Sequence, residues 1–350
     1  MIPYITVLII IYTWIVLENK TIGRKTIIVP LLLLGTLAAV RYYGVGTDAD
    51  MYTRYFRFPF NTYAFNFDPD VEAGYQYFVY LIRELYSDDY FVYFAIMAFV
   101  CIIPVLYTLK KFSVDYPLSV YIYITFGLYF ALYNQVRQAI AMGICFYATK
   151  YLLNKEFLKY CLFILIASQF HITALVMIGM YFVCHNKIRL EIKVLSISVL
   201  GAIAAPLLIA HMALNNSRYE HYTEAATNNG TNGLLTVGLY TAMALFFYIF
   251  GRRIRNEDNN YKIFECMYIC GVAALLPVAM LGTDPAGPQR IVQYFLYYIM
   301  LLFPVIFKKI NNTLITFLFM VMAFVYFILM ISNNIAGVFP YKLNSIFELF

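Results

Sequence analysis

Four short polar stretches interrupt an otherwise apolar chain, and each carries a group able to bind an anion or move a proton. Arg41 opens Arg41-Tyr42-Tyr43-Gly44-Val45-Gly46-Thr47-Asp48, whose glycines permit a tight turn with free backbone N–H groups, a geometry suited to anions. The plainer reading is an interfacial loop with a snorkelling arginine. Asn134-Gln135-Val136-Arg137-Gln138 places a cation near a helix N-terminus, where the dipole disfavours it and favours a bound anion. A phosphate bridging the two would relieve that mismatch; the alternative is a surface turn between apolar helices. Arg290, after Gly282-Thr283-Asp284-Pro285-Ala286-Gly287-Pro288-Gln289, opens a helix in the same way, unless it simply pairs with Asp284. His171, with Gln169 and Thr173 nearby, is a candidate proton acceptor or hydrogen-bond donor, or else a packing histidine.

Three arginines near helix-end backbone suit a pyrophosphate better than a carboxylate or a sugar alone. Asp48 and His171 are the candidate proton acceptors. A loop carboxylate among arginines is the weaker base, so His171 is favoured as base and Asp48 as organiser. Metal motifs, Walker loops and Gly-rich nucleotide fingerprints are absent, so no metal or cofactor is expected. The six cysteines all lie in apolar stretches, without zinc spacing or a CxxC pair.

The elements that must position these groups are membrane helices. Hydrophobic residues make up 63% of the 350 residues and charged ones 13%, against about 45–50% and about 25% in soluble domains. With a mean hydropathy of +0.72, the chain has too little polar surface to cover a soluble globule. The net charge of +6 therefore belongs to membrane topology, and no nucleic acid partner is expected. Apolar runs near 4–17, 27–40, 90–109, 118–133, 136–152, 194–211, 234–250, 262–281, 290–307 and 314–332 predict crossing segments. Met1-Ile2-Pro3-Tyr4 enters the first run without a basic start, unlike a cleavable signal peptide.

Residues 157–184 read either as one long helix or as two half-helices turning at Ser168-Gln169-Phe170-His171. Charge bias favours the hairpin. It collects 17 of the 25 basic residues with 7 acidic ones on one side, net +10, and leaves 8 basic and 12 acidic on the other, net −4. The expectation is an all-α polytopic membrane protein of about twelve segments, a single domain over 1–350, with both termini outside. Outward loops span about 41–89 and 212–233, and Val71–Tyr86 has helical spacing suited to the membrane surface. The 34 tyrosines and 31 phenylalanines read mainly as interfacial anchors.

Together these stretches resemble the EpsG-like family. Arg41 with Gly44-Val45-Gly46-Thr47-Asp48, Tyr52 and Phe56 is similar to its early signature. Arg137-Gln138-Ala139-Ile140-Ala141 is similar to its RQ-x-x-A helix start, and Phe170-His171-Ile172-Thr173-Ala174-Leu175 to its FH-x-[ST]-A-L segment. Arg290 with Tyr294-Phe295 is similar to its late Arg-x-x-x-Tyr-Phe element. The resemblance implies a Wzy-type O-antigen or exopolysaccharide polymerase with a GT-C-like fold in the bacterial inner membrane. Its substrates would be undecaprenyl-pyrophosphate-linked oligosaccharides joined at the outer, periplasmic face, alongside a chain-length regulator and a flippase. The competing classes are a lipid-linked oligosaccharide flippase and an O-antigen ligase. A transporter predicts polar residues on both faces and an internal repeat, whereas here they cluster on one face.

Overall fold

Without water in the hydrocarbon core, each backbone N–H and C=O must find a partner inside the protein, and helices do this within one segment. The computed structural model describes residues 1–58, 68–215, 234–281 and 287–347, and among them all regular structure is helical. In chain order these are α1 (Ile2–Thr21), α2 (Ile28–Ala39), α3 (Ala49–Arg57), α4 (Ala73–Leu85), α5 (Tyr90–Phe112) and α6 (Tyr116–Thr125). There follow α7 (Ala131–Asn134), α8 (Val136–Leu153), α9 (Phe157–Ser168), α10 (Val176–His185), α11 (Leu190–Asn215), α12 (Leu234–Phe250), α13 (Ile254–Glu257) and α14 (Asn259–Met280). The last are α15 (Gln293–Leu296), α16 (Ile299–Ile310) and α17 (Thr313–Ser332).

Each expected segment falls on one of these helices or on a bent pair of them. Five are long and apolar enough to cross a membrane. The number rises to seven when Tyr116–Thr125 with Leu128–Asn134, bent by 59°, and Pro288–Leu296 with Ile299–Ile310, bent by 42°, each count as one span. Four further apolar helices, α2, α9, α12 and Ile172–His185, are shorter than a span. The helix starts follow their caps: Asp89 accepts from Phe91 N, Asp115 from Leu118 N and Asn312 from Leu314 N.

The chain forms two compact units, Met1–Leu175 with Phe307–Phe350, and Val176–Ile306. In the first, α2 packs on α5, α5 on α8 and α8 on α9, while α1 lies against α2 and α6. In the second, α11 and α12 both pack on α14. There the buried Glu265 carboxylate accepts two hydrogen bonds from the Arg255 guanidinium, which neutralises a charge inside the core.

The tyrosines correct one expectation. Many are buried cross-links between helices, not interfacial anchors. Tyr129 donates to Leu34 O at 2.6 Å, Tyr133 to Leu37 O at 3.3 Å and Tyr4 to Val338 O at 2.9 Å. In unit 2, Tyr268 donates to Tyr240 O at 3.0 Å. A buried phenol brings large apolar area and must place its hydroxyl on a partner, so it suits a dry interior that needs specific registers.

The Val71–Tyr86 spacing does form a helix, α4, with Tyr75, Gln76, Val79 and Ile82 buried and Tyr77, Leu81 and Leu85 exposed. The 212–233 loop lies almost wholly outside the described residues, as do residues 59–67 of the first loop and Gly282–Ala286. The charge bias sets a topology that labelling can check. In a cysteine-free background, a cysteine at Asn256 should resist a membrane-impermeant maleimide until the membrane is opened, and one at Asn333 should react from outside. Outside labelling at Asn256 would overturn the assignment.

Candidate functional site

The Gly44–Asp48 loop is held in place at both ends. Arg41 makes an isolated antiparallel bridge with Leu343, Tyr42 N donates to Lys342 O at 2.9 Å, and Asn344 N donates to Val40 O at 2.8 Å. Gly46 N donates to Gly337 O at 2.8 Å, and Thr47 N donates to Asn134 Oδ1 at 2.8 Å. The two glycines are required at this junction. Gly46 has φ +112° and a Cβ there would sit 2.4 Å from Tyr133 O; Gly337 has φ +64° and a Cβ would sit 2.7 Å from Thr47 N. The 334–344 segment is thus part of the site, and nothing in its own composition marked it.

These bonds overturn the expectation of an open anion nest. The N–H groups of Val45, Gly46 and Thr47 are engaged by Tyr42 O, Gly337 O and Asn134 Oδ1. Asp48 occupies the N-cap position of α3 without a side-chain capping bond. Its neighbour Asp50 pairs with Arg54 and Arg57.

Arg41 is not on the outer surface. It is 1% exposed, with its guanidinium carbon 3.6 Å from the Phe94 ring centroid and 4.2 Å from that of Tyr133, and Nη1 donating to Ala38 O. A cation between two π faces and beside a helix C-terminal carbonyl is stabilised without a carboxylate. The sequence marks Arg41 as unusual, but only packing shows that it braces the α2 end against α5 and α7.

Arg137 lies in the first turn of α8, as expected, and its anion is already supplied by the protein. Nη1 donates to Glu72 Oε2 at 2.5 Å, with the side chains 19% and 16% exposed. Tyr52 hydrogen-bonds the same guanidinium and Tyr75 lies beside it. The other Glu72 oxygen, Oε1, accepts from Ile172 N at 3.0 Å. One carboxylate therefore joins the Arg137 helix start to the residue that follows His171. Sequence reasoning missed Glu72, because it is one of eight acidic residues in the 49-residue stretch 41–89 and no spacing distinguishes it. Next to Arg137, Gln138 is buried.

His171 sits where the expected break occurs. α9 ends at Ser168, and a 3₁₀ turn runs from Ile172 to Leu175. His171 N donates to Ala167 O at 3.1 Å, and its Nδ1 is 2.7 Å from Thr173 Oγ1. Tyr75 N donates to Gln169 O at 3.1 Å, so α4 pins the turn from above in sequence. The early-signature residues now have places too: Tyr52 on Arg137, and Phe56 against Tyr93 at 4.8 Å.

Arg290 belongs to the second unit and, instead of opening an α-helix, lies inside the 3₁₀ turn Pro288–Val292 that precedes α15. Its N donates to Gly287 O at 2.9 Å. Asp284, its suggested partner, lies outside the described residues.

The architecture and this site define an all-helical multi-pass membrane protein with a cation, a carboxylate and an imidazole gathered from separate loops and helix ends. The chain belongs to the EpsG family, a family of Wzy-like polymerases: the family model matches residues 25–343, nearly the whole chain. None of the curated proteins and none of the solved structures compared with it matches.

The two arginines should separate in experiment. Arg41→Gln removes a desolvated cation–π pair and should cost about 2 kcal/mol of stability, read as an earlier thermal transition of the purified protein. Arg137→Lys keeps the charge beside Glu72 and should melt close to wild type. Equal melting of wild type and Arg41→Gln would remove the bracing role.

Proposed function

We propose that this chain is a polysaccharide polymerase that joins undecaprenyl-pyrophosphate-linked oligosaccharide repeat units at the outer, periplasmic face of the bacterial inner membrane. The supporting observation is the Glu72 bridge, which ties Arg137 to the His171 turn although 34 residues separate the two in sequence. The bridge joins two of the stretches that resemble the family's motifs, and the Thr47 N to Asn134 Oδ1 bond adds a third.

In this reading Arg137 holds the donor pyrophosphate, with Gln138 supporting the helix start, while Arg290 is a substrate-binding candidate of the second unit. Glu72 keeps Arg137 oriented between turnovers. Arginine forks bind phosphate oxygens in pairs, and a partly desolvated site strengthens the contact with the charge that develops as the bond breaks. The acceptor hydroxyl attacks the anomeric carbon of the donor sugar. A new C–O bond forms, the anomeric C–O bond to pyrophosphate breaks, and the lipid pyrophosphate leaves with the bonding pair. A single displacement inverts that centre.

His171 takes the proton of the acceptor hydroxyl. The tautomer in which Nδ1–H donates to Thr173 Oγ1 carries its basic lone pair on Nε2, and the bond fixes the ring plane. Glu72 is not assigned this role, since a cation and an N–H already bind its two oxygens. Asp48 and Thr47 organise the loop beside Asn134, while Arg41 and Gly46 hold that loop from beneath. A chain-length regulator and a flippase are the expected companions.

Polymer ladders on gels, normalised to protein level, test this. Arg137→Lys keeps the charge but loses the fork, and should shorten or abolish the ladder with a drop in rate on the order of tenfold or more. Glu72→Gln should fall by a similar factor while protein level holds. His171→Ala should stop chain growth and spare binding of the lipid-linked donor. Normal ladders from both Arg137→Ala and His171→Ala would sink the reading.

A further inference from the structure

Between the Tyr42–Thr47 loop and the Asn334–Lys342 turn lies a cleft of about 370 Å³ in the first unit. That size is within the roughly 300–1,000 Å³ of ligand sites. We propose that this cleft is a saccharide subsite, taking a pyranose ring against Phe339 and Tyr42 with Lys342 and Thr47 meeting its oxygens. The choice of a saccharide rests on the polymerase reading above; the existence and chemistry of the cleft do not.

The walls are built and rigid. The cross-bonds from Tyr42 N to Lys342 O and from Gly46 N to Gly337 O close one side, at 2.9 and 2.8 Å. Beneath them Val338 is fully buried and its carbonyl accepts from Tyr4. Phe339 N donates to Asn334 Oδ1 at 2.9 Å, which fixes the start of the far wall. The Tyr42 ring packs at a tilt against Tyr43, centroids 4.1 Å apart, and Tyr43 in turn carries the Arg57 guanidinium at 3.6 Å. Phe339 keeps 40% of its surface exposed at the cleft. A ring held this way offers a flat apolar face at low entropic cost, which suits the C–H face of a sugar.

The hydrogen-bonding inventory argues against an anion. The N–H groups of Tyr42, Val45, Gly46, Thr47, Gly337 and Phe339 are all engaged within the protein. Pro340 has none. The cleft therefore presents mainly carbonyl lone pairs, a Thr47 hydroxyl, two rings and the single cation of Lys342, with the backbone amides of Gly44 and Lys342 and the side-chain amide of Asn334 as its further N–H groups. A pyrophosphate brings only acceptors and would face carbonyl oxygens with one ammonium to neutralise it. A sugar brings donors for the carbonyls and acceptors for Lys342 and Thr47. Asn134 also bonds Thr47 N just before the Arg137 turn, so a saccharide in the cleft would adjoin the proposed reaction site.

Trp14 is the sole tryptophan. A full-length Trp14→Phe, Phe339→Trp protein in nanodiscs thus reports on the cleft alone. The probes are oligosaccharides released by partial hydrolysis of the host's own polysaccharide, and inorganic pyrophosphate. Saturable change in emission with the oligosaccharides, but not with pyrophosphate, is expected. Adding Lys342→Gln should weaken the apparent affinity by about tenfold, the loss of one charge-assisted hydrogen bond. A Tyr42→Trp reporter on the opposite wall is scored the same way. Silence of both reporters toward the oligosaccharides, or a response to pyrophosphate in their place, overturns the proposal. Adding Arg137→Ala separates the two readings: the cleft should still respond while polymer is lost. Normal polymer from that variant counts against the polymerase site and leaves the titration to decide the cleft.

Discussion

Glu72 carries two duties that no other side chain in the first unit combines among the described residues. One oxygen neutralises Arg137 at the start of α8, and the other holds the peptide N–H of Ile172. The Arg137 contact is largely shielded from solvent, where an unpaired charge is costly and a paired one is held in a single geometry. Because α8 packs on both α5 and α9, fixing its first turn also fixes where the 169–171 break faces. Arg137 and the His171 turn are therefore tied by a bridge that closes only when α4, α8 and the 3₁₀ turn are all in place.

The surrounding packing follows a rule set by the absence of water. Tyrosine hydroxyls reach helix carbonyls across helix contacts, Arg41 is enclosed by Phe94 and Tyr133, and Glu265 is met by Arg255. In each case a polar group is placed inside an apolar interior with its partner supplied by another segment. Such pairs stabilise a unique arrangement more than they lower the total energy, since their desolvation offsets much of the attraction. This distinguishes Arg41 from Arg137. Arg41 has aromatic faces and a carbonyl, which a ligand would have to displace; Arg137 has a carboxylate that a phosphate can replace with like charge.

The C-terminal turn enlarges the site beyond the motifs. Cross-bonds joining residues 337, 342 and 344 to residues 40–46 make this late segment a wall of the cleft, not a tail. Two glycines with positive φ set the closeness of that wall, which larger residues would force apart.

The amino-acid sequence alone determined the class of the molecule: a chain so apolar must be built of membrane helices, and each apolar run falls on a helix or on a bent pair of helices. It also marked Arg41, Asp48, Arg137, His171 and Arg290, because charged or titratable groups within apolar runs are expensive and stand out. The break at 168–171 was legible because one long helix would have inverted the charge bias downstream. Tertiary structure alone decided which of these groups lie in the interior and which meet. Glu72, Tyr52 and residues 334–344 reach the site through contacts across 65, 85 and nearly 300 residues, and spacing along a chain carries no trace of such neighbours. The amides of the glycine loop were likewise assigned by folding: a local turn can present N–H groups to an anion, but here Gly337 and Asn134 arrive from elsewhere and take them.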